Sequence, residues 1–234
     1  MSLRVELEVE IAEIGARGDG IARLETGERL YVPYTLPGDR VRVRLGGKRP
    51  DGFVARVAAL LTPGPGRATP PCRHFGVCGG CALQHLVPDA YGAWKMALVE
   101  RALARQDVSA GAILPLVSTP PASRRRADFT ALRRKADILL GFNAPLSHEI
   151  IDLVECPVLL PAIAALLPPL RAMLKDLLAP TERAEVKLTA SDSGLDLLLV
   201  TGIALGAKRR ERLAAFAEAQ DLARVARLHP KGES

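Results

Sequence analysis

The sequence predicts a small β barrel of the OB kind over residues 1–61, a linker at 62–71 and an α+β domain over 72–234. Three observations carry this: apolar and charged residues alternate near the start, a proline- and glycine-rich break follows residue 60, and strand and helix periods mix beyond it. With 234 residues, of which 48% are hydrophobic, the chain has length for two modest domains and apolar surface for a core in each.

In the first predicted strand Val5, Leu7, Val9 and Ile11 alternate with Glu6, Glu8 and Glu10, so apolar side chains take one face and carboxylates the other. Further strands are expected at residues 20–24, 29–33, 39–45 and 52–60. The stretches between them, Gly15-Ala16-Arg17-Gly18, Thr26-Gly27 and Leu36-Pro37-Gly38-Asp39, each hold turn residues. Five short strands with such turns fit a closed barrel, of which the OB-fold is the commonest at this size. Residues 61–71 hold four prolines and two glycines, which can neither continue a sheet nor begin a long helix, so the domain boundary is placed there.

Beyond a cysteine-bearing loop, a helix is expected over about residues 89–105, with Tyr91, Trp94, Leu98 and Ala102 forming a stripe that reads as core rather than as a base-stacking surface. Strands are expected near residues 126–133, 136–142 and 149–153, a helix at 160–178, and a hairpin at 185–189 and 195–201 turning at Asp192-Ser193-Gly194. A charged helix at 208–220 and an apolar stretch at 222–228 precede His229-Pro230-Lys231-Gly232-Glu233-Ser234, an ending that reads as a cut rather than a cap.

No apolar run is long or unbroken enough to span a bilayer, and no secretory segment follows Met1, so a cytoplasmic protein without membrane contact is expected. A net charge of +6 favours polyanionic partners, and its distribution is local: Arg124, Arg125, Arg126, Arg133, Arg134 and Lys135 stand against Asp128 alone within a dozen residues. In an extended strand Ala127, Phe129 and Ala131 point inward while Arg126, Asp128 and Thr130 point outward, leaving a basic ridge suited to RNA phosphates. Arg40, Arg42 and Arg44 likewise share one face of a barrel strand. They serve either RNA or Glu6, Glu8 and Glu10 across the sheet. Aromatic residues make up only 4% of the chain, which argues against a generic single-strand binder working by stacking.

Four cysteines in a chain read as cytoplasmic are expected to be thiols, which turns attention to metal ligation. Cys72, Cys78 and Cys81 are spaced C-x5-C-x2-C, and Cys156 follows far downstream, directly before Pro157. Tetrathiolate zinc usually uses two C-x2-C pairs, whereas a three-cysteine loop with a distant fourth cysteine suits a [4Fe–4S] cluster. Gly79-Gly80 would let backbone N–H groups approach the sulfides, and Phe75 would shield them. Zinc and unliganded thiols stay open as alternatives. Gln84 reads as a brace for the loop, and His148 and His229 as ordinary surface histidines.

The run Cys72-Arg-His-Phe-Gly-Val-Cys78-Gly-Gly-Cys81-Ala-Leu-Gln84-His85, with Glu155-Cys156-Pro157, resembles the cluster motif of the bacterial RNA uracil-C5 methyltransferases. Gly15-Ala-Arg-Gly18-Asp-Gly20 and Leu36-Pro37-Gly38-Asp39 are similar to the TRAM-type OB domain of that family. The resemblance implies a TRAM domain, a central domain with Cys72, Cys78, Cys81 and Cys156 as iron ligands, and a structured rRNA or tRNA as partner of a monomer. It also implies a Rossmann-like methyltransferase domain, expected to be absent from this chain, so that S-adenosylmethionine would bind only through a missing C-terminal domain.

Methylation at uracil C5 requires a cysteine thiolate to add at C6 and a base to remove the C5 proton. With all four cysteines assigned to iron, the chain by itself is expected to be inactive, and no catalytic or cofactor-binding residue is assigned. A stand-alone RNA-binding module with OB-fold and cluster is the competing expectation, and a small electron carrier is disfavoured by the basic charge.

Overall fold

The structure, a computed structural model, describes residues 6–109 and 111–230. Val5 of the first predicted strand and the ending Lys231-Gly232-Glu233-Ser234 lie outside the described residues. The chain divides into two compact units: Met1–Gly76 with Cys81–Ser118, and Val77–Gly80 with Thr119–Ser234. Among the described residues no helix is long and apolar enough to cross a membrane.

The first unit is built on strands β1 (Glu6–Glu10), β2 (Glu13–Ile14), β3 (Gly20–Arg23), β4 (Arg29–Val32), β5 (Arg40–Arg49) and β6 (Gly52–Thr62). They form one sheet in the order β1-β5-β6-β4-β3-β2. Period-two alternation places Ile11, Leu30, Val32, Val41, Val43 and Ala55 in a common core, while Glu6, Glu8 and Glu10 stand opposite Arg44, Arg42 and Arg40 in register.

The predicted five-strand barrel pattern needs one correction. Residues 13–14 add a short sixth strand against β3, and β4 runs parallel to β6, so the sheet is mixed. The parallel pair arises because β5 and β6 form a long hairpin whose return strand lies along β4, and register shifts at Arg40/Val41, Arg42/Val43 and Leu45/Lys48 bend that hairpin.

Asp39, which ends the turn after Leu36, is fully buried. Its carboxylate accepts hydrogen bonds from the backbone N–H groups of Leu36 and Gly64, each at 2.7 Å, and pairs with Arg67, whose Nε lies 3.1 Å away. Burial pushes the carboxyl pKa up, but Arg67 and the two N–H groups outweigh it and hold the group below its ordinary value. The stretch read as a linker is therefore bolted to the sheet. It is also laced to the segment before the helix, with Ala68 N–H donating to His85 at 2.7 Å and Val87 N–H to Gly66 at 3.0 Å.

Helix α1 (Pro88–Ala104) begins with Pro88 in its first turn, where the missing N–H costs nothing, and carries Asp89 near its N-terminus and Arg101 in its last turn, both favourable to the helix dipole. Its expected core stripe is corrected: no residue of α1 is fully buried, and Tyr91 is 37% exposed. The helix docks through Ala90 and Trp94 on Ile14, Leu36 and Leu86, with the indole N–H directed at the Ile14 carbonyl. One short edge of sheet offers too little apolar surface to cover a whole helical face.

In the second unit, β7 (Arg126–Arg133), β8 (Ile138–Gly141), β9 (Arg183–Ser191), β10 (Gly194–Val200) and β11 (Leu222–Leu228) form a sheet in the order β11-β10-β9-β7-β8. Helix α3 (Ala207–Ala219) connects β10 to β11, which therefore pair in parallel, as a crossover requires. Helix α2 (Pro161–Leu177) buries Ile163, Leu166, Leu167, Leu170, Leu174 and Leu177. Pro168, an exposed residue, and Pro169 sit inside that helix. These leucines meet Phe129, Leu140, Val186, Leu188, Leu197, Leu199 and Phe216 in a single core.

The strand expected at 149–153 is also corrected. The segment runs beside β8, with Ile151 N–H donating to Phe142 and Leu153 N–H to Leu140, but the Asp152 carboxylate takes the Leu140 N–H at 2.9 Å, a donor that a partner strand would use. Gly141 permits the approach, since a Cβ there would lie 2.0 Å from the Ile151 carbonyl oxygen.

Replacing Asp39 by Asn should leave Arg67 without its buried counter-charge and destabilise the first unit by about 3 kcal/mol, read from urea unfolding. Acid acts on the same cluster. His85 is fully buried, and burial together with Arg67 lowers its pKa to about 4, partly opposed by Asp39. Both groups are harder to protonate in the folded than in the unfolded chain, so stability should fall as pH drops from 6.5 towards 4 and again below 3.8. His85→Gln should flatten the first fall, and an unchanged pH profile of the urea midpoint would refute the assignment.

Candidate functional site

The cysteine loop is shaped by backbone bonds. Phe75 N–H donates to the Cys72 carbonyl at 3.1 Å, and in the second unit Gly79 N–H donates to Asn143 at 2.9 Å. A Cβ on Gly79 would lie 2.7 Å from that oxygen, so glycine is needed there for close packing against residues 143–145. Gly80 N–H points at Cys78 Sγ, 3.4 Å away, and the Gly80 carbonyl accepts from Arg124 at 3.2 Å.

Each of the four cysteines is half-buried. Cys72 and Cys81 fall in the first unit, Cys78 and Cys156 in the second, where Cys156 packs on the core. Soft thiol donors and an N–H directed at sulfur suit an iron–sulfur ligand set in kind. Among the described residues, however, no group of three or more His, Cys, Asp or Glu is gathered for a metal ion, so the expected cluster is not shown. Phe75 packs edge-on against Tyr34 at 5.2 Å and beside His85 at 5.1 Å. Nε2 of His74, Oε1 of Gln84 and both ring nitrogens of His85 are buried with no hydrogen-bond partner among the described residues. The bracing role expected of Gln84 is therefore absent at that oxygen.

On β7 the inward set Ala127, Phe129 and Ala131 is buried, while Arg126 and Asp128 are exposed. The basic residues around this strand divide into two kinds. Arg124 holds Gly80, and its backbone is laced to residues 158–160 ahead of α2. Arg125 binds the Ala190 carbonyl at 3.1 Å and Asp192 at 2.9 Å. Arg133 donates to the carbonyls of Lys175 and Leu178 and so caps the C-terminal end of α2. Arg126, Arg134 and Lys135 are exposed and make no ion pair among the described residues.

On the first sheet Arg42 pairs with Glu8 and Arg44 with Glu6, each at 2.8 Å, so these two arginines are engaged within the fold. The sheet of the second unit adds what the sequence did not single out. Lys187 and Arg224, from β9 and β11, border a surface concavity of about 610 Å³ with Arg126, Thr189 and Asp196. They lie far from Arg126 in the sequence, and the strand order brings them beside it. Arg224 is held by Asp196 at 2.6 Å.

The first sheet carries paired charges, and the second has an exposed, partly cationic face. Residues 3–46 match the TRAM domain family. Over 93% of its length the chain is 43% identical to an uncharacterized RNA methyltransferase of Brucella suis, of which it covers 51%. It is 38% identical, over 92% of its length, to the 23S rRNA (uracil(1939)-C(5))-methyltransferase RlmD of Halomonas elongata, of which it covers 45%. The crystal structure of the Pyrococcus abyssi tRNA (uracil-54, C5)-methyltransferase in complex with S-adenosyl-L-homocysteine superposes on 87% of the chain with a TM-score of 0.60 at 20% identity, and the match takes in 48% of that structure.

The chain carries a TRAM domain, is similar to RNA methyltransferases, and spans about half the length of the curated relatives it matches. The expected fold class, in which the methyltransferase fold is absent, is overturned: nearly nine-tenths of the chain lies on a methyltransferase structure.

Arg133→Ala should lower the stability of the second unit by about 1.5–3 kcal/mol, the range for hydrogen bonds to a charged group, in denaturant unfolding. The salt dependence of RNA affinity should stay unchanged, and a shallower slope would make Arg133 an RNA contact after all.

Proposed function

We propose that the chain acts as the RNA-binding part of an RNA uracil-C5 methyltransferase. The observation that carries this reading is the 43% identity to an RNA methyltransferase across 93% of the chain. Two relatives named for uracil-C5 methylation, one acting on 23S rRNA and one on tRNA, support the target base, and the TRAM match supports RNA as partner. S-adenosylmethionine would supply the methyl group, consistent with the S-adenosyl-L-homocysteine held by the archaeal structure. The similarity to methyltransferases along the chain favours this over a stand-alone binding module.

The residues best suited to hold RNA are those whose charge the fold leaves unspent. Arg126, Arg134 and Lys135 are exposed beside β7 and meet phosphate as cations without first breaking a pair. Arg124, Arg125 and Arg133 act by holding this surface in shape.

Cys72, Cys78, Cys81 and Cys156 are proposed as thiolate ligands of a [4Fe–4S] cluster. Support comes from their spacing and from the Gly80 N–H directed at Cys78 Sγ, since hydrogen bonds to sulfur tune such clusters. Bound, the cluster would serve as a covalent staple. Protein purified without oxygen should be brown and carry iron and sulfide, and Cys156→Ala should lose both, whereas a colourless protein with stoichiometric zinc would sink the cluster.

For RNA, the test is affinity for a structured uridine-containing RNA over a range of salt. Arg126, Arg134 and Lys135 changed together to Ala should weaken binding about tenfold and make the dependence on salt shallower. A wild-type chain with no measurable RNA affinity would refute the reading.

A further inference from the structure

Within the first unit an open cleft of about 780 Å³ is bounded by the outer side of the sheet and by α1. Its wall carries five arginines: Arg17, Arg29 and Arg49 from the sheet and its turns, Arg101 and Arg105 from the last turns of the helix and its end. Three carboxylates, Glu13, Asp19 and Asp51, stand among them, so the cleft is cationic.

Those carboxylates do not use up the arginines. Arg29 lies 3.8 Å from Asp51, Arg49 lies 3.8 Å from Asp19, and Arg101 lies 4.0 Å from Glu13. Arg42 and Arg44, on the same sheet, close on Glu8 and Glu6 at 2.8 Å. Oxygens at the longer distances leave most guanidinium N–H groups without a good acceptor. Asp51 also accepts the Tyr31 hydroxyl, which spends part of its capacity, and burial pushes the Asp19 carboxyl above its ordinary value despite Arg49 and Arg17. Arg17 forms no ion pair among the described residues and meets Asp19 only through longer-range attraction.

The cleft is also held in place. The Arg49 guanidinium sits over the Tyr31 ring, 5.0 Å from its centroid, which fixes the arginine without consuming its N–H donors. Nε of Arg101 donates to the Ala97 carbonyl and Nε of Arg105 to the Arg101 carbonyl, each at 3.1 Å, which anchors both side chains along the helix.

A planar fork of N–H donors with weak counter-charges matches the oxygens of a phosphate group, and the volume accommodates a nucleotide-sized segment. We propose that this cleft is a phosphate-binding site that holds the backbone of an RNA strand, with Arg17, Arg49 and Arg101 as the principal contacts. This rests on the RNA-binding reading above and assigns it a specific place on the first unit, separate from the residues beside β7.

The experiment uses the full chain. Arg17, Arg101 and Arg105, which contribute to no strand pairing, are changed together to Ala, and affinity for single-stranded RNA is measured at several salt concentrations. Affinity should fall about tenfold, and the slope of log affinity against log salt should become shallower by about 0.7 for each phosphate no longer neutralised. The thermal midpoint should fall only slightly, since Arg101 and Arg105 also support the end of α1. Should the triple variant fail to fold, Arg17→Gln with Arg101→Gln gives the same readout. Unchanged affinity and slope, with wild-type RNA binding intact, would overturn the cleft while sparing the RNA-binding reading; failure of the wild type to bind RNA overturns both. Adenosine monophosphate separates the two sources of phosphate: if it binds the wild type and not the variant while RNA affinity is unaffected, the cleft serves a free nucleotide and the backbone assignment fails.

Discussion

The first unit depends on one buried carboxylate. Asp39 sits at the end of a turn between β4 and β5, and its two oxygens gather the Leu36 and Gly64 N–H groups and the Arg67 guanidinium. A buried charge of this kind is tolerated only when every oxygen is engaged, so the proline-rich stretch that supplies Gly64 and Arg67 has no freedom to act as a tether. Once it is held, the bonds of Ala68 to His85 and of Val87 to Gly66 hold the approach to α1, which is delivered to the sheet edge where Trp94 meets Ile14. The cleft proposed to take phosphate lies between that helix and that sheet, so its existence follows from the same constraint.

The arginines show how little a charge count says about binding. Every guanidinium adds to the net +6, yet the fold assigns them different work. Arg67 neutralises a buried acid, Arg133 caps α2, and Arg171 donates to the carbonyls of Ile138, Leu140 and Leu153, tying α2 to β8 and the segment beside it. Removing any of these changes stability. Arg126 and Arg17, which form no ion pair among the described residues, are the ones proposed to meet phosphate. What separates the two classes is the distance to an acceptor, which depends on the neighbouring strand or helix and not on the neighbouring residue in sequence.

Around the cysteine loop, glycine serves packing more than ligation. Gly79 is required by the Asn143 backbone, whereas Gly80 presents its N–H to Cys78. Nearby in sequence, His74, Gln84 and His85 bring buried polar atoms without a hydrogen-bond partner among the described residues into the first unit, a concentration that ordinary packing does not favour. His85 keeps its ring neutral there because burial and Arg67 both oppose its protonation.

The sequence by itself determined most of the elements. Alternation in Glu6–Glu10 and Arg126–Arg133 and the leucine spacing of Pro161–Leu177 are local periodicities, and the structure keeps them within a residue or two. The cysteine and turn motifs likewise point to RNA methyltransferases, to which the chain is similar. Tertiary structure alone decided the parallel pairs β4 with β6 and β10 with β11, the fate of residues 149–153, the bolting of the expected linker and the partner of each arginine. It also decided that the chain lies on a methyltransferase fold where the sequence motifs suggest none. The physical reason is common to all of these: periodicity is set by residues three or four apart, whereas strand order, hydrogen-bond satisfaction and ion pairing join residues dozens of positions apart and depend on which of several acceptors the fold brings within reach.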